Sequence, residues 1–225
     1  MLKTIIYTTL AVASLASAAV PGIDVSGYQG NVNWANVANA GKKFAYVKAT
    51  EHTNYINPYF AQQYNGAYNQ GIIRGAYHYA HPNGASGASQ ANYFLAHGGG
   101  WSADGKTLPG AVDLEYGPNG STCWGISQSA MIAWIRDFSN TYRAKTGRPP
   151  VIYTSTSWWK TCTGNYGGFG NDNPLWIARY SSTVGELPAG WPFHSIWQNN
   201  DNSGVGGDGD IWNGDLAGLQ RFAKG

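Results

Sequence analysis

Charged side chains are scarce in this chain. Asp, Glu, Lys and Arg make up 12% of the 225 residues, against about 25% in an ordinary globular domain. The formal net charge is only +2, and no run of basic residues occurs. A nucleic-acid partner would need a basic patch or stripe. The composition therefore argues against nucleic-acid binding and predicts a surface that is polar without being ionic.

Cysteine is almost absent, with only Cys123 and Cys162 in the sequence. In an oxidising compartment an even pair most simply forms a disulfide. A catalytic thiol is the alternative, but none of the five histidines lies close in sequence to either cysteine. His78 and His81 could form a metal-binding pair, yet no third ligand with regular spacing follows. We assign neither a metal nor a cofactor.

Long apolar runs are also missing, except at the N-terminus. Residues 1–19 carry Lys3, then an uncharged apolar run that ends in small residues acceptable to a signal peptidase. At about fifteen residues, the run is too short to span a bilayer comfortably. We predict a cleaved secretory signal over 1–19, an extracellular domain over 20–225, and no membrane partner. The sequon at Asn119 could carry a glycan.

Aromatic residues, by contrast, are abundant, with 10 Trp and 15 Tyr. Aromatic faces stack on the apolar C–H faces of sugar rings, whose rims form hydrogen bonds. For any single aromatic residue, a place in the hydrophobic core is the better explanation. As a group, however, these residues make a carbohydrate ligand plausible.

The order of predicted elements indicates the fold. We predict strands over 22–27, 44–50, 72–80, 109–116, 149–155, 174–181 and 193–200, and helices over 33–44, 57–71, 86–99 and 126–147. No helix is predicted between the last three strands, and 204–214 is predicted as a Gly-rich loop. Alternating strands and helices are typical of parallel βαβ units. The prediction is an α/β protein: an irregular single-domain β/α barrel with fewer helices in its C-terminal part.

Acidic residues occupy the positions where such barrels place their functional groups, the C-terminal ends of strands. The stretch AVDLEYG sets Asp113 and Glu115 one residue apart. On a strand they would share a face, with Cβ atoms about 6.6 Å apart. Two like charges so close raise the proton affinity of at least one of them. Such a pair suits glycoside hydrolysis, in which one carboxyl donates a proton and its partner stabilises positive charge.

Six ordered segments carry a family resemblance: GIDVSGYQG, GAYHYAHP, AVDLEYG, PLWIARY, SIWQ and GDGDIWN. They resemble the segments of glycoside hydrolase family 25, the CH-type lysozymes, and the match extends over residues 22–222. The resemblance implies a secreted muramidase with an irregular β/α barrel, whose partner is bacterial peptidoglycan. It implies hydrolysis of the β-1,4 bond between N-acetylmuramic acid and N-acetylglucosamine. We expect a monomer.

The resemblance also implies roles for individual residues. Glu115 corresponds to the acid and Asp113 to the assisting carboxylate, while Asp24 and Asp210 match two further acidic positions of the cleft. Taken alone, either of the last two would more simply be a turn aspartate. Other candidates for substrate binding on the predicted strands are Tyr46, Tyr77, His78, Trp176, Trp197 and Gln198.

Two other functions remain open. A chitinase would carry further aspartates two and five residues before Asp113, where this chain has Ala111 and Leu108. A non-catalytic lectin built on an inactive hydrolase would have lost the acid, but Glu115 is present. The sequence leaves open whether the reaction uses a protein nucleophile or the 2-acetamido group of the substrate, although the resemblance favours retention of configuration.

Overall fold

The computed structural model describes residues 19–117 and 120–225. The strands are β1 (Val20–Val25), β2 (Phe44–Glu51), β3 (Tyr55–Ile56), β4 (Ile73–Tyr79), β5 (Ala111–Asp113), β6 (Val151–Thr154), β7 (Leu175–Ala178), β8 (Ile196–Asn200) and β9 (Asp208–Trp212). The helices are α1 (Trp34–Asn39), α2 (Phe60–Asn69), α3 (Gly87–Ala96), α4 (Gln128–Thr146), α5 (Thr156–Thr163) and α6 (Leu216–Lys224). The predicted secretory signal, apart from Ala19, and the sequon residue Asn119 lie outside the described residues.

Eight of these strands close into a barrel, which confirms the predicted fold class. The order around the barrel is β1, β2, β4, β5, β6, β7, β8 and β9, and β9 returns to pair with β1. Neighbours are parallel from β1 to β8, whereas β9 runs antiparallel to both β8 and β1. The parallel strands therefore end at one common mouth, and β9 begins there.

The barrel interior is apolar at its base and polar at its mouth. The buried cluster at the base includes Phe44, Ile73, Val151 and Ile196, together with Leu219 of α6, which covers the base. Alternate residues of the strands pack outward under the helices in two further apolar clusters. Because the base is filled with side chains, only the mouth is left to form a cavity.

The prediction is wrong in parts of the C-terminal third. Helix α5 lies between β6 and β7, where no helix was predicted, and residues 208–212 form β9 instead of a Gly-rich loop. Helix α6 was not predicted either. β9 is stabilised by pairing on both sides, a tertiary effect that local sequence does not reveal. The predicted scarcity of helices holds between β7 and β9, where every residue is described and none is helical.

The predicted disulfide is present and links Cys123, in the segment before α4, to Cys162 of α5. This segment packs beside the end of β5, since the indole N–H of Trp124 donates to the carbonyl of Glu115 at 3.0 Å. The indole N–H of Trp158 in α5 donates to the carbonyl of Thr122 at 2.8 Å. The disulfide thus stabilises the segment that supports Glu115.

Candidate active site

A cavity of about 380 Å³ opens at the mouth of the barrel. Its lining combines acidic, aromatic and other polar side chains: Asp24, Asp113, Glu115 and Asp208; Tyr28, Tyr77, Tyr79, Tyr153, Trp176 and Tyr180; and Ser26, Gln29, Lys48 and Gln198. Concave sites that combine apolar walls with a few convergent polar groups are typical of ligand-binding sites. Aromatic walls with hydrogen-bonding groups between them suit a sugar.

Asp113 and Glu115 both face this cavity. Asp113 is the last residue of β5, in register with Tyr79 of β4 and Tyr153 of β6. Leu114 points the other way, into the core beneath the helices, where it is 1% exposed. The predicted strand over 109–116 is too long, so Glu115 lies just beyond the strand end. The two carboxylates nevertheless share the cavity because side chains continue to alternate in direction past Asp113.

The environments of the two carboxylates differ. Burial raises the pKa of Asp113 well above its usual value, and the charge of Glu115 adds to the shift. Burial also raises the pKa of Glu115, but a hydrogen bond with Asp113 and the positive charge of Lys48 partly oppose it. The Oδ1 atom of Asp113 is buried without a hydrogen-bond partner, which further disfavours its ionised form. Burial therefore favours the protonated form of both carboxyls, and Asp113 is the more deeply buried of the two.

Asp24 and Asp208 face the same cavity around Gln198. The Gln198 amide N–H donates to Asp24 Oδ2 at 2.7 Å and to Asp208 Oδ2 at 3.2 Å. Its Oε1 atom accepts from the Tyr153 hydroxyl at 2.8 Å. Burial, and next the charge of Asp208, raises the pKa of Asp24 to about 7. Gln198 thus fixes the positions of two acidic side chains.

Lys48 is the cationic side chain in the lining. Its Nζ atom is 2.6 Å from Glu51 Oε2 and 4.6 Å from the ring centroid of Tyr79. The Glu51 carboxylate also contacts His81 Nε2 at 2.8 Å. Lys48 is therefore held in place while its charge moderates the repulsion among the carboxylates.

Asp210 lies beneath the cavity and does not line it. It is 1% exposed, and its Oδ1 accepts a hydrogen bond from the indole N–H of Trp176 at 2.8 Å. Burial, and next the charge of Asp24, raises the pKa of Asp210 well above its usual value. It also lies on a strand and not in a turn. Its contacts support Trp176, which does line the cavity.

Three further predicted binding residues lie outside the cavity lining. His78 is fully buried on the outer face of β4, where its ring atoms contact Thr50 Oγ1 at 2.8 Å and Gln90 Oε1 at 3.0 Å. Trp197 is on the opposite face of β8 from Gln198, and its indole N–H donates to the Arg179 carbonyl at 2.8 Å. Both predictions overlook that adjacent strand residues face opposite sides.

The third is Tyr46, which points inward but lies below the cavity. Its hydroxyl donates to the carbonyl of Pro109 at 2.8 Å, and its ring stacks on Trp176 with centroids 4.8 Å apart. It is fully buried and therefore supports the floor of the site. Of the remaining predictions, Asp24, Tyr77, Trp176 and Gln198 do line the cavity.

Several lining residues were missed by the sequence analysis. Lys48 and Tyr79 each lie two positions from a predicted residue on the same strand, and Tyr180 lies four positions from Trp176 in the predicted strand 174–181. Strand alternation could therefore have identified these three. Asp208 fell in the predicted loop and Tyr28 lies outside the strands, so no local pattern marked them. In the part of the chain that is described, no group of three His, Cys, Asp or Glu side chains is placed to hold a metal ion. No described helix is long and apolar enough to cross a membrane.

Known proteins resemble this chain in both sequence and structure. The model of Glycosyl hydrolases family 25 matches residues 23–208. An N,O-diacetylmuramidase of Chalaropsis sp. is 51% identical over 210 residues, covering 92% of this chain and 100% of that protein. The structure of a muramidase from Acremonium alcalophilum superposes with a TM-score of 0.90 at 54% identity, covering 91% of this chain and 99% of the other. A family GH25 lysozyme from Aspergillus fumigatus gives a TM-score of 0.91 at 46% identity, covering 92% and 100%.

Proposed function

The chain belongs to glycosyl hydrolases family 25 and is a lysozyme-type glycoside hydrolase, and we propose that it acts outside the cell on bacterial peptidoglycan. The bond cleaved is the β-1,4 linkage between N-acetylmuramic acid and N-acetylglucosamine. The names of the muramidase relatives support this substrate. Secretion is supported by the apolar N-terminal run and the disulfide.

The observation that carries the proposal is the Asp113–Glu115 pair, which faces an aromatic cavity at the mouth of the barrel. A glycosidic oxygen is a poor leaving group, so a protonated carboxyl must donate to it as the bond breaks. Glu115 is the more exposed member of the pair and lies at the cavity wall. We assign Glu115 as the acid and Asp113 as the carboxylate that stabilises positive charge at the anomeric carbon.

The proton held by the pair must be on Glu115 when the glycosidic bond breaks. When the sugar covers the cavity, it removes water from Glu115 and raises the pKa of that carboxyl further. Positive charge developing on the sugar favours an ionised Asp113. Both effects place the proton of the pair on Glu115, which donates it to the glycosidic oxygen as that bond breaks. The ionised Asp113 accepts the N–H of the 2-acetamido group, whose oxygen attacks the anomeric carbon and forms an oxazolinium ring. Water, deprotonated by the now ionised Glu115, then opens this ring at the anomeric carbon, so the product retains the configuration.

The test of the proposal is the Glu115→Gln variant on purified peptidoglycan. Glutamine keeps the shape of the side chain but cannot donate the proton, so we expect hydrolysis to fall by at least about a hundredfold. Binding of the glycan and the circular dichroism spectrum should match the wild type. Turnover close to that of the wild type would contradict the assignment of the acid.

The products identify the bond that is cut. After borohydride reduction, mass spectrometry should find reduced muramic acid at the new chain ends. Reduced glucosamine ends, cleavage of chitin oligosaccharides in preference to peptidoglycan, or binding without hydrolysis would each contradict the proposed muramidase activity.

Secretion has a separate test. N-terminal sequencing of the protein from the culture medium should give a sequence that begins just after Ala18 or Ala19.

A further inference from the structure

A groove leaves the catalytic cavity on the side of α5. Next to the cavity is a depression of about 200 Å³, and the two share Glu115, Tyr153 and Tyr180. This depression in turn shares Ser155, Ala178 and Arg179 with a further one of about 410 Å³. We call these two depressions the side groove. They form one continuous path from Glu115, past Arg179, to Lys160 of α5.

The side groove differs from the cavity in charge. The cavity is lined by four carboxylates, Asp24, Asp113, Glu115 and Asp208, and its lysine is already paired with Glu51. In the side groove, Lys160 Nζ pairs with Glu186 at 2.8 Å. The exposed guanidinium of Arg179 has no carboxylate within salt-bridge distance among the described residues. The cavity lining therefore offers an anionic group no unpaired cation, whereas the side groove offers Arg179.

The position of Arg179 is fixed by its surroundings. Its backbone N–H donates to the Gln198 carbonyl at 3.0 Å, and its carbonyl accepts from Trp197 at 2.8 Å. The guanidinium packs against Gly185, which has φ 66°, and a Cβ atom there would overlap it. The neighbouring loop is tied to α5 because the Thr156 hydroxyl donates to the Glu186 carbonyl at 2.7 Å. These contacts fix the backbone of Arg179 in the groove wall, and its guanidinium occupies the space that Gly185 leaves free.

Resting on the proposed function, we propose that the side groove binds the peptide stem of the muramic acid unit, with a stem carboxylate on Arg179. The muramic acid ring must lie beside Glu115, which protonates its glycosidic oxygen. Its lactyl group projects sideways from the sugar chain and carries a short peptide with free carboxylates. The side groove begins at Glu115 and leads away from the acidic cavity toward the guanidinium. A guanidinium binds a carboxylate through two parallel hydrogen bonds.

The experiment compares two soluble substrates: uncrosslinked glycan strands with peptide stems, and the same strands after an amidase has removed the stems. Arg179→Gln should raise KM for the peptide-bearing strands by about fivefold, the scale of an exposed ion pair, and leave kcat unchanged. On the peptide-free strands, KM should equal that of the wild type. Arg179→Lys should be intermediate, since lysine keeps the charge and loses the paired geometry. Arg221 is an exposed arginine of α6 at the barrel base. Arg221→Gln is the matched control and should leave KM unchanged on both substrates.

The outcomes separate this inference from the proposed function. An equal rise in KM on both substrates would mean that Arg179 acts on the sugar or on the cavity shape, and would overturn stem recognition. An unchanged KM on both would also overturn it. If the wild type cleaves neither glycan, the proposed muramidase activity itself is wrong, and the stem-binding role is rejected with it.

Discussion

Strand alternation decides which single side chains reach the cavity. Tyr77 and Tyr79 face it, whereas His78 between them is buried under the helices, where burial lowers its pKa to about 4. The predicted pair of Asp113 and Glu115 remains together even though the strand ends between them. Sequence spacing therefore predicted the proximity of the two carboxylates. It could not predict which of them holds the proton, because that depends on burial contributed by distant strands.

The pH dependence of activity should distinguish the roles of the two carboxylates. In the wild type the last proton leaves the pair against the charge of the other carboxylate, which raises the pKa of that step. In Asp113→Asn, Glu115 ionises without a charged neighbour, so the alkaline limb of the kcat/KM profile should move to lower pH. The loss of charge stabilisation should also lower kcat by about a hundredfold, equivalent to about 3 kcal/mol.

Kinetics of Asp113→Asn on a soluble peptidoglycan fragment across pH would test both effects. If the variant is slow but retains the wild-type alkaline limb, Asp113 stabilises charge without tuning Glu115. If neither kcat nor the alkaline limb of the kcat/KM profile changes, Asp113 has no part in the mechanism.

At the scale of elements, the prediction was accurate for the longest helix. Helix α4 has an N-cap at Ser127 and a left-handed glycine at Gly147, and it was predicted within two residues at each end. Helix α5 also has a capping serine, Ser155, but its eight residues, TSWWKTCT, are too few to show a clear helical period. β9 has the sequence DGDIW, and only pairing with β1 and β8 makes it a strand. Of the missed elements, β9 thus depends on contacts between distant parts of the chain, whereas α5 and α6 are short helices that carry local capping residues, Ser155 and Asp215.

The disulfide should contribute mainly to stability. It joins residues 39 apart, and closing such a loop removes about 4 kcal/mol of chain entropy from the unfolded state. The double variant Cys123→Ala with Cys162→Ala should lower the free energy of unfolding by about this amount, as measured by urea denaturation. At low temperature its activity should persist, since neither sulfur lines the cavity. An unchanged denaturation midpoint would contradict this expectation.

Helices α3 and α4 approach closely at Gly87. A Cβ atom there would overlap the carbonyl oxygen of Trp134 and crowd the amide nitrogen of Phe138. Gly87→Ala should therefore force the helices apart and cost about 1–3 kcal/mol, the usual scale of overpacking. Gly100→Ala is a suitable control because a Cβ atom there meets nothing within 4 Å. Equal thermal midpoints for the two variants would show that α3 and α4 tolerate the methyl group.

For the molecule as a whole, the buried carboxyls make stability depend on pH. Burial raises the pKa of Asp113 and Asp210 well above their usual values, so the folded state keeps protons that the unfolded state loses near pH 4. A folded state that binds more protons loses stability as pH rises. Between about pH 4 and 6.5 the neutral, buried His78 acts in the opposite direction, because its pKa is lowered on folding.

Above pH 6.5 His78 no longer opposes this trend, and each proton that the folded state still retains lowers the free energy of unfolding by about 1.4 kcal/mol per pH unit. The thermal midpoint should therefore fall as the pH rises above 6.5. In Asp210→Asn, the Oδ1 atom still accepts from Trp176 and the amide can donate toward Asp24, so the fall should be shallower than in the wild type. Asp172→Asn removes an exposed carboxylate, 61% accessible, and serves as the control. Parallel curves for the wild type and Asp210→Asn would contradict a protonated Asp210.

The antiparallel direction of β9 also determines which side of the barrel is suitable for attachment to other materials. β1 begins at the barrel base with Val20, which packs in the same cluster as α6. β9 leads directly into α6, so that Gly225 lies beside Trp101 and Arg148, also away from the mouth. A resin, an affinity tag or a carrier protein coupled at Gly225 would lie at the barrel base and leave the mouth exposed to the solution. Immobilisation at this position should preserve access for long, insoluble polymers.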